Sequence, residues 1–200
     1  MAPSTFKDPE FLARLAAGDR AAFEQLFRQY NAGMVRLATT ILKNRASAEE
    51  VTQEAWLSVL THIGQFERRS SLAGWIFTIL VNAARRRAVN DGRIVQFDHD
   101  DRIDPLADAF DGRGRWKHHP ELRESMTAEH IVADRDMLEH VEQAILHLPP
   151  AQRSVLILRG QRGMESADVC RILDITDCNM RVLLHRARQT LKSRLEGVLA

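Results

Sequence analysis

Residues 166–195 read SADVCRILDITDCNMRVLLHRARQTLKSRL. Val169, Ile172 and Leu173 share one face of a short helix from Ser166 to Leu173. Asp174-Ile175-Thr176 breaks it, with Ile175 placed to plug the turn. A second helix runs from Asp177 to about Leu195, with Val182 and Leu183 or Leu184 facing inward. Two helices joined by a turn this short form a helix-turn-helix. The second helix is strongly basic. From Asn179 to Arg194 it carries Arg181, Arg186, Arg188, Lys192 and Arg194 and no acid. In such a motif the second helix enters the major groove. Asn179 and Arg181 lie in its first turns, where base edges are reached. Arginine bridges guanine and asparagine pairs with adenine. Arg186, Arg188 and Lys192 suit phosphate contacts, which supply affinity without sequence information. Taken alone, the same pattern also describes a solvated basic helix with no ligand.

Upstream of this motif, a helical pattern begins near Ile131, and Leu138, Val141, Ile145 and Leu148 line one face. Leu148-Pro149-Pro150 ends it, and Pro150 suits the first turn of the next helix. That short helix carries Val155, Leu156 and Leu158 and stops near Gly160. Gln96 to about Met126 shows no stable periodicity. Six aspartates against Arg102 between Asp98 and Asp111, with scattered Phe97, Phe110 and Trp116, mark it as an acidic linker.

The N-terminal part is helical again. Phe23, Leu26, Phe27, Tyr30, Met34, Leu37 and Ile41 recur at steps of three and four, the buried face of a long helix from Arg20 to Asn44. Ser47 with Glu50 reads as a capping box, which starts a helix at Ala48 and runs it to about Ile63. After Gly64 and a polar loop, Ser70 or Ser71 caps a further helix holding Trp75, Ile76, Ile79, Leu80 and Ala83. It ends at the turn signal Asn90-Asp91-Gly92. No strand-like alternation occurs. The expected fold is all-α: two helical domains, 8–95 and 133–200, joined by the linker 96–132.

Composition restricts the function. The chain has 200 residues, 44% hydrophobic and 28% charged, with net charge +1. No apolar run approaches the ~20 residues that span a bilayer, so no membrane insertion is expected. Met1 to Glu10 lacks the pattern of a signal peptide. Two cysteines, Cys170 and Cys178, are too few for a disulfide framework and fit a cytoplasmic setting. No metal, cofactor or catalytic constellation is recognisable. His118-His119 and Cys170 with Cys178 and His185 lack zinc-site spacing, and the aspartates lie in the segment least able to hold geometry. The expectation is a binding protein and not an enzyme.

Three stretches together resemble one family. AEEVTQEAW (48–56) resembles the helix by which sigma factors grip the clamp helices of RNA polymerase. Phe66 to Ser71 followed by LAGWIFTILVNAA (72–84) resembles the promoter-melting, −10-reading region. LPPAQR (148–153) with the helix-turn-helix resembles the −35-reading domain. The resemblance covers about Asp8 to Arg93 and Met137 to Glu196. With no further sigma domains, it points to the extracytoplasmic-function (ECF) subfamily of the sigma-70 family.

The resemblance implies a role for each matched position. Glu50, Gln53, Glu54 and Trp56 contact core RNA polymerase at its clamp helices, and the C-terminal domain meets its flap. Phe66, Arg68, Arg69, Ser70 and Asn82 capture a flipped −10 base, while Arg85 and Arg86, with Arg87, hold the phosphate backbone. A base must leave the stack before a loop pocket can read its edge. Asn179, Arg181, Arg186, Arg188 and Lys192 form the −35 surface. The acidic linker follows the polymerase's RNA path. Promoter DNA and an anti-sigma factor are the further partners implied. Two positions depart from the family pattern. Glu165 stands where relatives place a capping hydroxyl, and Leu183 stands at a usually basic site.

Overall fold

The computed structural model describes residues 8–92, 135–161 and 164–199, and these are helical with no strand among them. Four helices form an N-terminal bundle: α1 (Pro9–Ala16), α2 (Arg20–Leu42), α3 (Arg45–His62) and α4 (Leu72–Asn90). Four more follow: α5 (Arg135–Leu146), α6 (Pro150–Val155), α7 (Ser166–Leu173) and α8 (Asp177–Leu199), with a π-helical segment, Leu156–Gln161, after α6. The expected acidic linker, Trp116 and His118-His119 lie outside the described residues.

Each bundle helix starts on a side-chain cap. Asp8 accepts from the Glu10 N–H, Asp19 from Ala21 and Ala22, Asn44 from Ser47, and Ser71 from Gly74. Such caps satisfy amides that no turn of helix can reach. The Asn44 cap corrects the capping-box expectation at Ser47. Lys43 turns left-handed (φ +53°) to end α2, which brings the Asn44 carboxamide onto the Ser47 N–H at 3.0 Å. Ser47 is thereby drawn inside the first turn, and α3 begins three residues earlier than expected. Helix α1 is an addition that the apolar spacing did not disclose. Its Phe11, Leu12 and Leu15 are buried, and Gly18 (φ +79°) turns the chain into α2.

Leu26, Met34, Leu37, Ile76, Phe77 and Leu80 are fully buried and make the centre of the bundle. Tyr30 packs edge-on against Phe77, with ring centres 6.1 Å apart. The same apolar cluster continues into the C-terminal half through Val155, Leu158, Val169, Ile172, Leu173 and Met180. The two domains expected from the sequence therefore share a core. Among the described residues, a small cluster, Leu148, Leu156 and Ala187, belongs to the C-terminal half alone.

In the C-terminal half, Pro150 opens α6 as expected. The helix widens at Leu156, where Leu156, Ile157 and Leu158 are buried in succession. An ordinary helical stripe would turn one of the three outward, and the wider π turn keeps them inside. The turn Asp174-Ile175-Thr176 is formed as expected. Asp174 adopts φ +58°, Ile175 is buried beneath it, and the Thr176 hydroxyl accepts the Asn179 N–H at 3.2 Å.

Candidate nucleic-acid interface

Helices α7 and α8 form the expected helix-turn-helix. Val169, Ile172, Leu173 and Val182 are buried, and Leu183 and Leu184 pack half-buried against the core. Met180 and Ala187, which the spacing did not single out, complete the inward face of α8. Together with Leu183 and Leu184 they follow helical periodicity from Met180, so the signal was present in the sequence. Arg188 and Lys192 are exposed, and Asn179, Arg181 and Arg186 are partly exposed. Arg181 Nη2 lies 2.6 Å from Asp177 Oδ2, one turn back. This ion pair holds the guanidinium over the first turn of α8. His185 sits on the same helix, where burial and the neighbouring Arg188 push its pKa below the ordinary histidine value, favouring the neutral ring. Cys170 is half-buried, and burial raises its thiol pKa, so it is a poor nucleophile.

The second set of candidates surrounds the start of α4. Phe66 stacks on Trp75 with ring centres 5.4 Å apart, which ties the loop to the helix. Arg68 and Arg69 are exposed and Ser70 is half-buried beside them. Arg68 adopts φ +59°. A long side chain in the left-handed region costs on the order of 1 kcal/mol, so the loop is held in this shape by its anchors. Arg69 pairs with Glu67 at 2.7 Å. Asn82 and Arg86 are exposed on α4. Arg85 is not a free phosphate grip in this conformation, because its Nη2 donates to the Leu173 carbonyl at 2.7 Å. Arg87 pairs with Glu50 at 3.2 Å and approaches Asp91 at 3.6 Å.

The third set lies on α3. Gln53 and Glu54 are exposed, and so are Leu57 (65%) and Leu60 (43%) one and two turns on. An amide and a carboxylate bordered by bare leucines suit a partner helix with basic and apolar groups. Trp56 corrects the expectation of a contacting residue. It is 4% exposed, packs edge-on to Phe23 at 5.5 Å, and donates from Nε1 to Asn31 Oδ1 at 3.0 Å. Its position on the inner face of α3 makes it a brace between α2 and α3. Glu50 is exposed, although engaged by Arg87. A cleft of about 760 Å³ opens between α2 and α3 on one side and α5 and α6 on the other, lined by Asn31, Gln53, Trp56, Glu142, Leu146 and Arg153. The sequence disclosed no such cleft, since its walls come from distant segments.

Arg153 lines that cleft. Its Nη2 donates to the Leu148 carbonyl at 2.9 Å and to Leu146, tying the turn between α5 and α6. Burial lowers its pKa from the ordinary arginine value. Among the described residues no group of three or more His, Cys, Asp or Glu side chains is placed to hold a metal ion, and no helix is long and apolar enough to cross a membrane.

A helical bundle with an exposed polar and leucine-bearing face, joined to a basic helix-turn-helix, defines a two-domain DNA-binding protein that docks on a larger partner. The family model Sigma-70 region 2 matches residues 26–94, and Sigma-70, region 4 matches residues 138–191. The chain belongs to the sigma-70 family of RNA polymerase sigma factors, in its extracytoplasmic-function subfamily. It binds core RNA polymerase and directs promoter-specific transcription initiation. Among its relatives is the ECF RNA polymerase sigma factor SigM of Mycobacterium tuberculosis, 29% identical over 96% of this chain and 86% of the relative. The RNA polymerase sigma-H factor of Pseudomonas aeruginosa is 26% identical over 96% of both chains. The ECF RNA polymerase sigma-E factor of Escherichia coli is 23% identical over 96% of both. Two solved structures share the fold. CnrH in complex with the cytosolic domain of CnrY has a TM-score of 0.53 at 16% identity, covering 94% of this chain and 96% of that one. The sigma factor RpoE in complex with the anti-sigma factor NepR from Bartonella quintana has a TM-score of 0.53 at 21% identity, covering 87% and 96%.

Proposed function

We propose that the three surfaces divide the work of initiation. Gln53 and Glu54, with Glu50 beside them, dock α3 on the clamp helices of core polymerase, and Trp56 braces that helix from within. Phe66, Arg68, Arg69, Ser70 and Asn82 capture a −10 base, and Arg85 and Arg86 take the adjoining phosphates. Asn179 and Arg181 read −35 base edges, while Arg186, Arg188 and Lys192 hold phosphates on the −35 duplex. Domains 8–95 and 133–200 carry these two readings, and the linker 96–132 threads between them. The protein works in the cytoplasm as a specificity subunit and not as an enzyme. An anti-sigma factor contacting both domains controls it, a reading supported by the solved complex of the sigma factor RpoE with the anti-sigma factor NepR.

The observation that carries this reading is the exposed Gln53–Glu54 pair beside bare Leu57 and Leu60, in the same chain as a basic helix-turn-helix. A regulator that binds DNA unaided has no use for such a docking face. The test is reconstituted transcription from genomic fragments with purified core polymerase. Discrete starts sharing −35 and −10 elements are expected with the wild type. The double variant Gln53→Ala, Glu54→Ala abolishes them and leaves the melting temperature unchanged, because both side chains are exposed. Core-independent footprints by the protein alone, with no initiation, would point instead to a free-standing DNA-binding regulator.

A further inference from the structure

We propose that Asp177 is a positioning residue for −35 recognition. Its carboxylate holds the Arg181 guanidinium ready to meet a base, and so sets how sharply the element is read. The inference rests on the reading of Arg181 as a base contact given above. Asp177 is the first residue of α8. An acid in that place ordinarily caps the helix or answers its positive end. Here a cap is already supplied, because the Thr176 hydroxyl accepts the Asn179 N–H at 3.2 Å. The Asp177 carboxylate turns along the helix instead, and its Oδ2 lies 2.6 Å from Arg181 Nη2.

Charge makes this placement costly. From Asp177 to Leu195 it is the sole acid among five cations. It stands, 46% exposed, at the end of the helix that enters the groove, where DNA phosphates repel it. A carboxylate that weakens binding to every sequence alike is explained by what it does for one of them.

Spacing separates Arg181 from the arginines assigned to phosphates. Arg186 and Arg188 have no acid three or four residues away on either side, whereas Arg181 has Asp177. A phosphate contact needs little more than charge, so a mobile arginine serves. A guanine edge is met by two parallel hydrogen bonds, which demand a fixed plane. The arginine placed near base edges is thus the tethered one. The tether leaves it able to work. A guanidinium has five N–H donors, so one given to Asp177 leaves a whole edge of the fork for guanine. Ordering the side chain beforehand lowers the cost of the matched contact alone, because a mismatched base never orders it.

The test uses the holoenzyme, the full chain with purified core polymerase. The templates are a promoter found by the transcription assay above and copies with single −35 substitutions. Asp177→Asn keeps the size of the side chain and removes its charge. Preference for the native element should fall about three- to tenfold. The loss should come at the matched promoter, while initiation at the substituted ones holds or rises by up to about twofold at low salt, because one repulsion of phosphate is gone. A defect in the folding of α8 would lower both instead. Asp177→Glu should restore the preference, since a glutamate also pairs with an arginine four residues on. Adding Asp177→Asn to Arg181→Ala should cost no further preference. Wild-type preference in Asp177→Asn, or an equal fall on every template, overturns the proposal. A double variant that discriminates less than Arg181→Ala shows Asp177 accepting from a base itself, and overturns the positioning role as well. If Arg181→Ala alone leaves the preference unchanged, the reading of Arg181 as a base contact fails first and takes the proposal with it.

Discussion

The bundle and the C-terminal half are held together by different means. The bundle has a side-chain cap on each of its four helices and a deep core around Phe77. In the C-terminal half Thr176 caps α8, but α6 starts on Pro149 and α7 on Glu165, neither with a side-chain cap bond. Most of its buried apolar residues join the bundle's cluster, and only Leu148, Leu156 and Ala187 form one of their own. A domain this small buries too little surface to be strongly stable alone. The difference teaches that the bundle is a platform, while the helix-turn-helix depends on whatever it rests on. In this structure it rests on the bundle.

Substitutions can break this comparison. Phe77→Ala, at the centre of the bundle, should cost about 3–5 kcal/mol. If the bundle is the platform, chemical denaturation followed by circular dichroism will show both halves lost together. Survival of a folded C-terminal half would reverse the order of dependence. Arg181→Ala should leave stability nearly unchanged and lower −35 discrimination by roughly 1–3 kcal/mol. Competition between matched and mismatched promoters measures it, and an unchanged preference removes Arg181 from the base-reading set.

Capping sharpens the same contrast with smaller effects. Asn44→Ala should destabilise the bundle by about 1 kcal/mol, because the Ser47 amide loses its acceptor. Glu165→Ser should do the opposite in the other half. It offers α7 a cap it lacks, stabilising it by about 0.5–1 kcal/mol. Urea denaturation midpoints would register both, with opposite signs.

Much of this was legible in the sequence because it is local. The turn Asp174-Ile175-Thr176 and the bounds of α4 follow from apolar spacing and short polar breaks. Two cap-forming residues three apart, Asn44 and Ser47, compete for the same helix start, and spacing does not choose between them. Trp56 was misread because an indole serves equally as a contact or as a brace, and the partner that decides it, Asn31, is 25 residues away. The π turn after α6 falls in an unbroken run of four apolar residues, Val155 to Leu158, which leaves no periodic mark. The seat of α7 on α4 is the extreme case. Its hydrogen bonds, Ser71 to Asp168 and Arg85 to the Leu173 carbonyl, join residues 97 and 88 positions apart, and nothing in either segment announces the other. The candidate surfaces were therefore legible as lists of residues, while the conformation that covers part of one of them was not.

The stacking of Phe66 on Trp75 has an optical consequence. Trp75 is half-buried at the root of the loop before α4, whereas Trp56 is enclosed by Phe23, Phe27 and the Asn31 carboxamide. An indole's emission follows the polarity and motion of its surroundings. Two of the protein's three tryptophans thus serve as dyes, one that brightens or shifts if the loop takes hold of a base as proposed, and one that stays constant as the reference.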